Sequence, residues 1–231
     1  KGVSDLQKKS AVKFQNKYYW TLSLFLSFIV PVLIGMMYNR PIGGLLWGGV
    51  VRVTLVHHFT FFINSFCHFL GKRNYDINTT ARDSWFMAFL TFGEGYHNFH
   101  HKFQWDYRNG IKWYSFDPSK WIIKFLSYFN IAYDLRKAPD HRILRARINT
   151  LNEKFKEFRI NVKYQNKINQ ITKKAMKDLN VLKILENKYN RLDTSKYEKM
   201  IYKQQKNFCK LKLRESISSL MLILVNLKNI T

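Results

Sequence analysis

The sequence predicts an all-α integral membrane protein. Three observations carry that prediction: a 21-residue stretch without a charge, a second apolar run directly behind it, and Leu, Ile and Phe recurring at helical spacing through a basic tail.

Residues 1–17 read as a cytosolic lead-in bearing Lys8, Lys9, Lys13 and Lys17. Residues 18–38, YYWTLSLFLSFIVPVLIGMMY, follow. At about 1.5 Å per residue a helix of this length matches a hydrocarbon core of roughly 30 Å. The alternative is a buried helix of a large soluble core, but such helices normally show a polar stripe. Pro31 kinks a span without forbidding it. After Asn39-Arg40-Pro41 the run at 42–64 is apolar except for Arg52, His57, His58 and Asn64. So short a break implies an antiparallel helical hairpin over 18–64. Lysines precede the first span, Lys72, Arg73 and Arg82 follow the second, and the turn carries only Arg40. The positive-inside bias therefore places both ends of the hairpin, the functional site and both termini on the cytoplasmic side. An unpaired Arg52 at the span centre would cost roughly 2.5–3.5 kcal/mol. It is expected to face protein, a cavity or a ligand, or to snorkel to an interface.

Residues 65–137 mix Trp, Tyr, Phe and charge, and read as the cytosolic, site-bearing region. Residues 138–231 hold 22 Lys and Arg against 8 Asp and Glu, and read as a tail of surface helices lying against an anionic leaflet. Its wealth of Lys, Asn and Ile also fits a compositional bias of the source. The net charge of +24 calls for an anionic partner, nucleic acid or membrane lipid. Two membrane spans speak for lipid and against a nucleic-acid binder. Two cysteines, Cys67 and Cys209, exclude a disulfide framework. No signal peptide is visible, and with Lys as the first residue the true N-terminus is expected upstream.

The chemistry concentrates in histidine. His57, Phe61, Asn64 and His68 are spaced four, three and four apart, one stripe of a helix. His97, His100 and His101 in GEGYHNFHH stand at i, i+3 and i+4 and are expected to project toward a common point. Neutral imidazole binds iron, copper, zinc and nickel, and histidines without thiolates argue against a structural zinc finger. Structural or solvated histidines are the competing reading, strongest for His57-His58. Glu94 either orients a histidine or is an ordinary exposed acid, and Cys67 reads as packing.

The runs Asn64-Ser65-Phe66-Cys67-His68, Gly71-Lys72-Arg73-Asn74-Tyr75-Asp76, LTFGEGYHNFHH at 90–101, Asp106-Tyr107-Arg108 and Asp117-Pro118-Ser119-Lys120-Trp121 carry a resemblance. Together they resemble the C-terminal half of membrane-bound acyl-CoA desaturases of the stearoyl-CoA, delta-9 type, particularly bacterial members. The likeness implies four membrane spans, of which the hairpin is the third and fourth. It also implies a centre of two iron ions held by histidines, and oxygen-dependent insertion of a cis double bond into a long-chain acyl-CoA. His68, His97, His100 and His101 match the family's iron ligands, and Asn64 matches an asparagine that reaches iron through water; no further catalytic side chain is implied. No FAD or NAD fingerprint is present, so electrons would come from a partner such as cytochrome b5, rubredoxin or ferredoxin. The family's two earlier clusters, an H-x-x-x-x-H and an H-x-x-H-H ahead of the one at 97–101, do not occur in these residues, and five of its usual nine histidine ligands are absent with them. The resemblance thus implies a C-terminal portion whose N-terminal half lies elsewhere. Gln104, where proline is usual, and Phe61, where animal members carry tryptophan, are smaller departures. A related di-iron fatty acid hydroxylase and a non-catalytic membrane fragment are the rival readings.

Overall fold

A computed structural model describes residues 8–191 and 196–229, all helical in their regular structure, with two isolated bridges, Lys72 to Asp83 and Asp83 to Tyr96. The chain divides into two compact units between Phe62 and Ile63.

In the first unit α1 covers Ser10–Lys17 and α2 covers Tyr19–Met37. The next helix, α3, covers Pro41–Phe69 and continues into the second unit. Both α2 and α3 are long and apolar enough to cross a membrane. Their outward side chains are exposed, as at Trp20, Met37 and Trp47. The second helix runs past residue 64, where its apolar stretch ends, because nothing breaks it before Gly71, whose φ of +124° turns the chain. His68 is therefore helical.

The hairpin turns at Asn39, in the left-handed region at φ 56°, with the Arg40 N–H donating to the Gly35 carbonyl at 2.8 Å. Pairing runs antiparallel, Gly44 beside Pro31 and Arg52 beside Ser27. A Cβ on Gly44 would lie 2.2 Å from the Pro31 oxygen, so only glycine lets the two backbones meet there. Short π-helical stretches at Phe25–Ile29 and Gly44–Val51 leave carbonyls misaligned with the regular ladder. Arg52 answers two of them: Nε donates to Gly48 O at 2.6 Å in its own helix, and a terminal nitrogen reaches Ser27 O across the hairpin at 3.4 Å. Arg52 is itself exposed, and its bonds are to backbone oxygens of the hairpin.

In the second unit α4 (Trp85–Leu90) starts at Ser84, whose hydroxyl accepts from the Met87 N–H at 3.4 Å. Next come α5 (His97–Lys102) and α6 (Pro118–Tyr128). Asp117 caps α6 and Pro118 opens it, the usual division of labour at a helix start. The basic tail is more than a set of surface helices. Here α7 (Asp140–Phe155), α8 (Val162–Arg191) and α9 (Lys196–Lys228) pack on one another around Ile148, Phe155, Leu179, Leu182, Leu213, Ile217 and Leu220. Leu144, Ile148, Leu151 and Phe155 recur at four, three and four, a seam that turns one face of α7 inward. His141 Nδ1 meets the Glu186 carboxylate at 2.5 Å inside this bundle, and Lys210 pairs with Asp140.

Between α4 and α5 the GEG turn is compressed. A Cβ on Gly95 would stand 2.1 Å from the Ala88 backbone nitrogen. Nothing flexible can yield there, so Gly95→Ala is expected to destabilise by about 3 kcal/mol. For a chain of this size that lowers the unfolding midpoint by roughly 6–12 °C, readable by thermal unfolding in detergent. A midpoint within about 2 °C of the parent protein would show that the two backbones do not approach in this way.

Candidate metal centre

His68 ends the apolar helix α3, and His97 and His101 lie one turn apart on α5. Their ligating nitrogens all fall within 4.8 Å of one another. The His68 ring centroid is 5.0 Å from that of His97 and 6.1 Å from that of His101, and the His97 and His101 centroids are 4.4 Å apart. His97 and His101 face each other through Nε2 atoms 3.1 Å apart. With one nitrogen protonated they share a hydrogen bond. With both unprotonated they address one cation.

His100 stands outside this converging group. Its ring stacks at 6.3 Å from His97, and it is exposed. Helical rotation explains the split: at about 100° per residue, an i+4 partner returns to within about 40° of His97 while an i+3 partner falls about 60° to the other side. Asn64 sits one turn before His68 on α3 and is exposed. His57 and His58 belong to the first unit, where their rings lie beside Phe61 and Phe62.

Protonation is disfavoured where the cluster is tightest. Burial, and then the neighbouring His101, His68 and His100, push the His97 imidazole down to about 4. His101 is lowered by burial and by His100 and His68. With no thiolate or carboxylate in the converging group, and with His97 held well below the ordinary imidazole range, the three imidazoles form a donor set suited to iron and other borderline transition metals. The residues present therefore fit a histidine-bound iron.

Neighbouring groups fix these side chains. His68 Nδ1 is 2.8 Å from Thr80 Oγ1, and donation from Nδ1 leaves Nε2 as the lone-pair atom. Thr80 is a site residue that spacing could not reveal, twelve residues away on an irregular loop. Glu94, the alternative orienting group, is exposed. Cys67 is fully buried and its carbonyl accepts from the Arg82 N–H at 2.7 Å, as its packing role requires.

The asparagine inside H-N-x-H-H has no free valence for metal. Asn98 is fully buried, and its Oδ1 accepts from the N–H groups of Asn74, Tyr75 and Asp76 at 2.9, 2.7 and 3.2 Å. Its amide nitrogen donates to Asp76 O and Ala81 O at 2.8 and 2.9 Å. The side chain clamps the loop carrying Thr80 onto α5. Asp83 adds a second tie, Oδ1 accepting from the Phe99 N–H at 3.0 Å at the start of α5. Burial raises this carboxyl to about 6, opposed by hydrogen bonds from Phe99, Asn74 and Asn98.

The other quoted motifs are scaffolding too. Asp106 takes Arg108 through two bonds, at 3.0 and 2.8 Å, and anchors the Ala138 N–H at 2.8 Å. Asp117 accepts from the N–H groups of Asn109 and Gly110, and buried Lys120 donates to the carbonyls of Gly110, Lys112 and Ser115.

Comparison with known proteins meets this geometry from the other side. The family model described as fatty acid desaturase matches residues 3–136. Acyl-CoA desaturase 1 of Saccharomyces cerevisiae is 44% identical over 147 residues, 63% of this chain and 29% of that protein. The probable acyl-CoA desaturase of Schizosaccharomyces pombe is 41% identical over 142 residues, 61% of this chain and 30% of its own length. The sn-1 stearoyl-lipid 9-desaturase of Synechocystis is 38% identical over 115 residues, 48% of this chain and 36% of that protein. The matched stretches thus span between 29% and 36% of the length of these relatives.

Proposed function

The chain belongs to the fatty acid desaturase family, and from that premise we propose that it carries part of the iron centre of an acyl-CoA desaturase. The observation behind this reading is the convergence of His68, at the end of an apolar helix, with His97 and His101 from a separate short helix. Bound iron would supply, with O2, the redox chemistry needed to break an unactivated methylene C–H bond, which acids, bases and nucleophiles cannot do at neutral pH. His68, His97 and His101 hold the metal, Thr80 fixes the His68 tautomer, and Asn98 and Asp83 hold the two segments in register. His100 joins them as a ligand from the exposed side of α5, and Asn64 through water. The remaining ligands of a two-iron centre come from sequence outside these residues.

The substrate in this reading is a long-chain acyl-CoA and the product carries a cis double bond; the names of the yeast relatives indicate acyl-CoA desaturation for those proteins. Electrons arrive from a separate carrier such as cytochrome b5, rubredoxin or ferredoxin. The hairpin forms the third and fourth of four spans with its ends and the centre on the cytoplasmic side. The four segments 1–17, 18–64, 65–137 and 138–231 act as lead-in, membrane hairpin, site region and basic tail.

The test combines the chain with a segment supplying the two further histidine clusters, then assays stearoyl-CoA with O2 and a competent reductase. A monounsaturated acyl product is expected, with no activity and at most weak iron retention from the 231-residue chain alone. A hydroxylated product would replace the desaturase reading with the hydroxylase one, and a complemented protein without iron would refute both. Within the complemented protein Thr80→Val is expected to lower iron affinity or activity about 10- to 100-fold, the usual effect of removing a group that orients a metal-bound histidine. Unchanged iron affinity and activity would remove Thr80 from the site.

A further inference from the structure

The second unit contains a basic cavity of about 330 Å3 between the loop after α3 and the helical bundle, apart from the histidine cluster. Lys72, Arg73 and Arg82 line it from the loop, Arg147 and Lys154 from α7, and Lys228 from the end of α9. Among the described residues Glu157 is the one acid in its wall.

Three of these cations, Arg73, Arg82 and Lys154, are held in place by uncharged oxygens. Lys154 Nζ donates to Arg73 O at 2.6 Å, Arg73 donates to Ile77 O at 3.0 Å, and Arg82 Nε donates to His68 O at 3.3 Å. Carbonyl oxygens orient a cation but carry no charge to cancel it. Among the described residues none of Arg73, Arg82, Arg147 and Lys154 takes part in an ion pair. The crowding is felt at Lys154, whose ammonium is lowered by burial and then by Lys228, Arg73 and Arg82, with Glu157 opposing. Like charge gathered in a half-enclosed space costs stability unless a counter-charge occupies it. Arginine forks match phosphate oxygens two at a time, and Leu151, Phe158 and Leu224 give the cavity an apolar wall for a carbon scaffold.

We propose that this cavity is a binding site for a small polyanion carrying two or more phosphate groups on a compact carbon scaffold. That chemistry is shared by a phosphorylated lipid headgroup and a soluble phosphate ester. Through the bond from Arg82 to the His68 carbonyl, the occupant's charge acts on the last turn of α3. The site stands whether or not the chain binds iron.

Calorimetric titration of the 231-residue chain in neutral detergent, at physiological ionic strength, tests it with inositol 1,4,5-trisphosphate and with pyrophosphate. Saturable binding of one trisphosphate per chain is expected. Joint replacement Arg147→Gln with Lys154→Gln should weaken it at least about tenfold, the loss of two bonds to charged groups. Lys228→Gln, at the cavity edge, should weaken it as well and serves if the double variant does not fold. Lys173→Gln with Lys174→Gln makes the same change of charge on the exposed face of α8 and should leave affinity within about twofold. Absent saturable binding, or equal losses from the α8 pair, would overturn the proposal by showing diffuse attraction only. Phosphatidylcholine vesicles with and without phosphatidylinositol bisphosphate separate the sources. Recruitment that soluble trisphosphate competes away assigns the headgroup, and trisphosphate binding without recruitment assigns the soluble ester.

Discussion

Asn98→Leu is expected to produce the largest loss of stability of any single change near the histidine cluster. The substitution keeps the volume but strands three backbone N–H donors, at Asn74, Tyr75 and Asp76, and two carbonyls, at Asp76 and Ala81. At about 1–3 kcal/mol for each buried group left unpaired, and with some regaining water, the cost is on the order of 5 kcal/mol. The loop bearing Thr80 would separate from α5, and any bound metal would be lost with it. Asn98→Asp should be milder: its carboxylate still accepts from the three N–H groups while facing the two carbonyls without a donor. Thermal unfolding in detergent, with metal content measured alongside, checks both. An Asn98→Leu protein that unfolds within a few degrees of the parent would show that the clamp does not hold the loop.

The second large effect concerns activity. In the complemented enzyme His97→Ala and His101→Ala, separately, should reduce desaturation by more than about 100-fold, since removing mere orienting partners already costs 10- to 100-fold. His57→Ala should leave the rate near that of the parent, because His57 lies in the first unit beside Phe61 and outside the converging group. Far-ultraviolet circular dichroism separates a lost ligand from a lost fold. Retained activity in either α5 variant, or its loss in His57→Ala alone, would move the centre elsewhere.

Much of the apolar hairpin was legible in the amino-acid order, because a helix long and apolar enough to cross a membrane is a local property. An uncharged stretch of 21 residues and a break of three define the hairpin with no knowledge of distant contacts. The partners of Arg52 were not legible, since they are backbone oxygens freed by π-helical stretches that composition does not announce. The relation of His97 to His101 is a helical spacing and could be read directly. That of His68 to either is a tertiary contact across a loop, and only the family resemblance pointed to it. The same spacing predicted that His100 would converge with them, whereas its ring lies on the exposed side of α5, because i+3 and i+4 neighbours diverge from the parent residue in opposite senses.

The clamps were hidden for a related reason. Asn98, Asp83, Asp117 and Lys120 act on backbone groups up to 24 residues away, and a backbone amide has no sequence signature. In the tail the seam of Leu144, Ile148, Leu151 and Phe155 was visible as helical periodicity. Its partners on α8 and α9 were obscured by a sequence so rich in lysine that it resembled a solvated surface.

The central claim is that His68, His97 and His101 ligate iron, and the iron K-edge X-ray absorption spectrum of the reduced, iron-loaded complemented protein tests it most directly. Predicted is a nitrogen-rich shell with imidazole multiple scattering that weakens in His68→Ala, His97→Ala and His101→Ala and is unchanged in His57→Ala. A spectrum indifferent to joint replacement of His97 and His101, or one with a sulfur shell implicating Cys67 or Cys209, would contradict it.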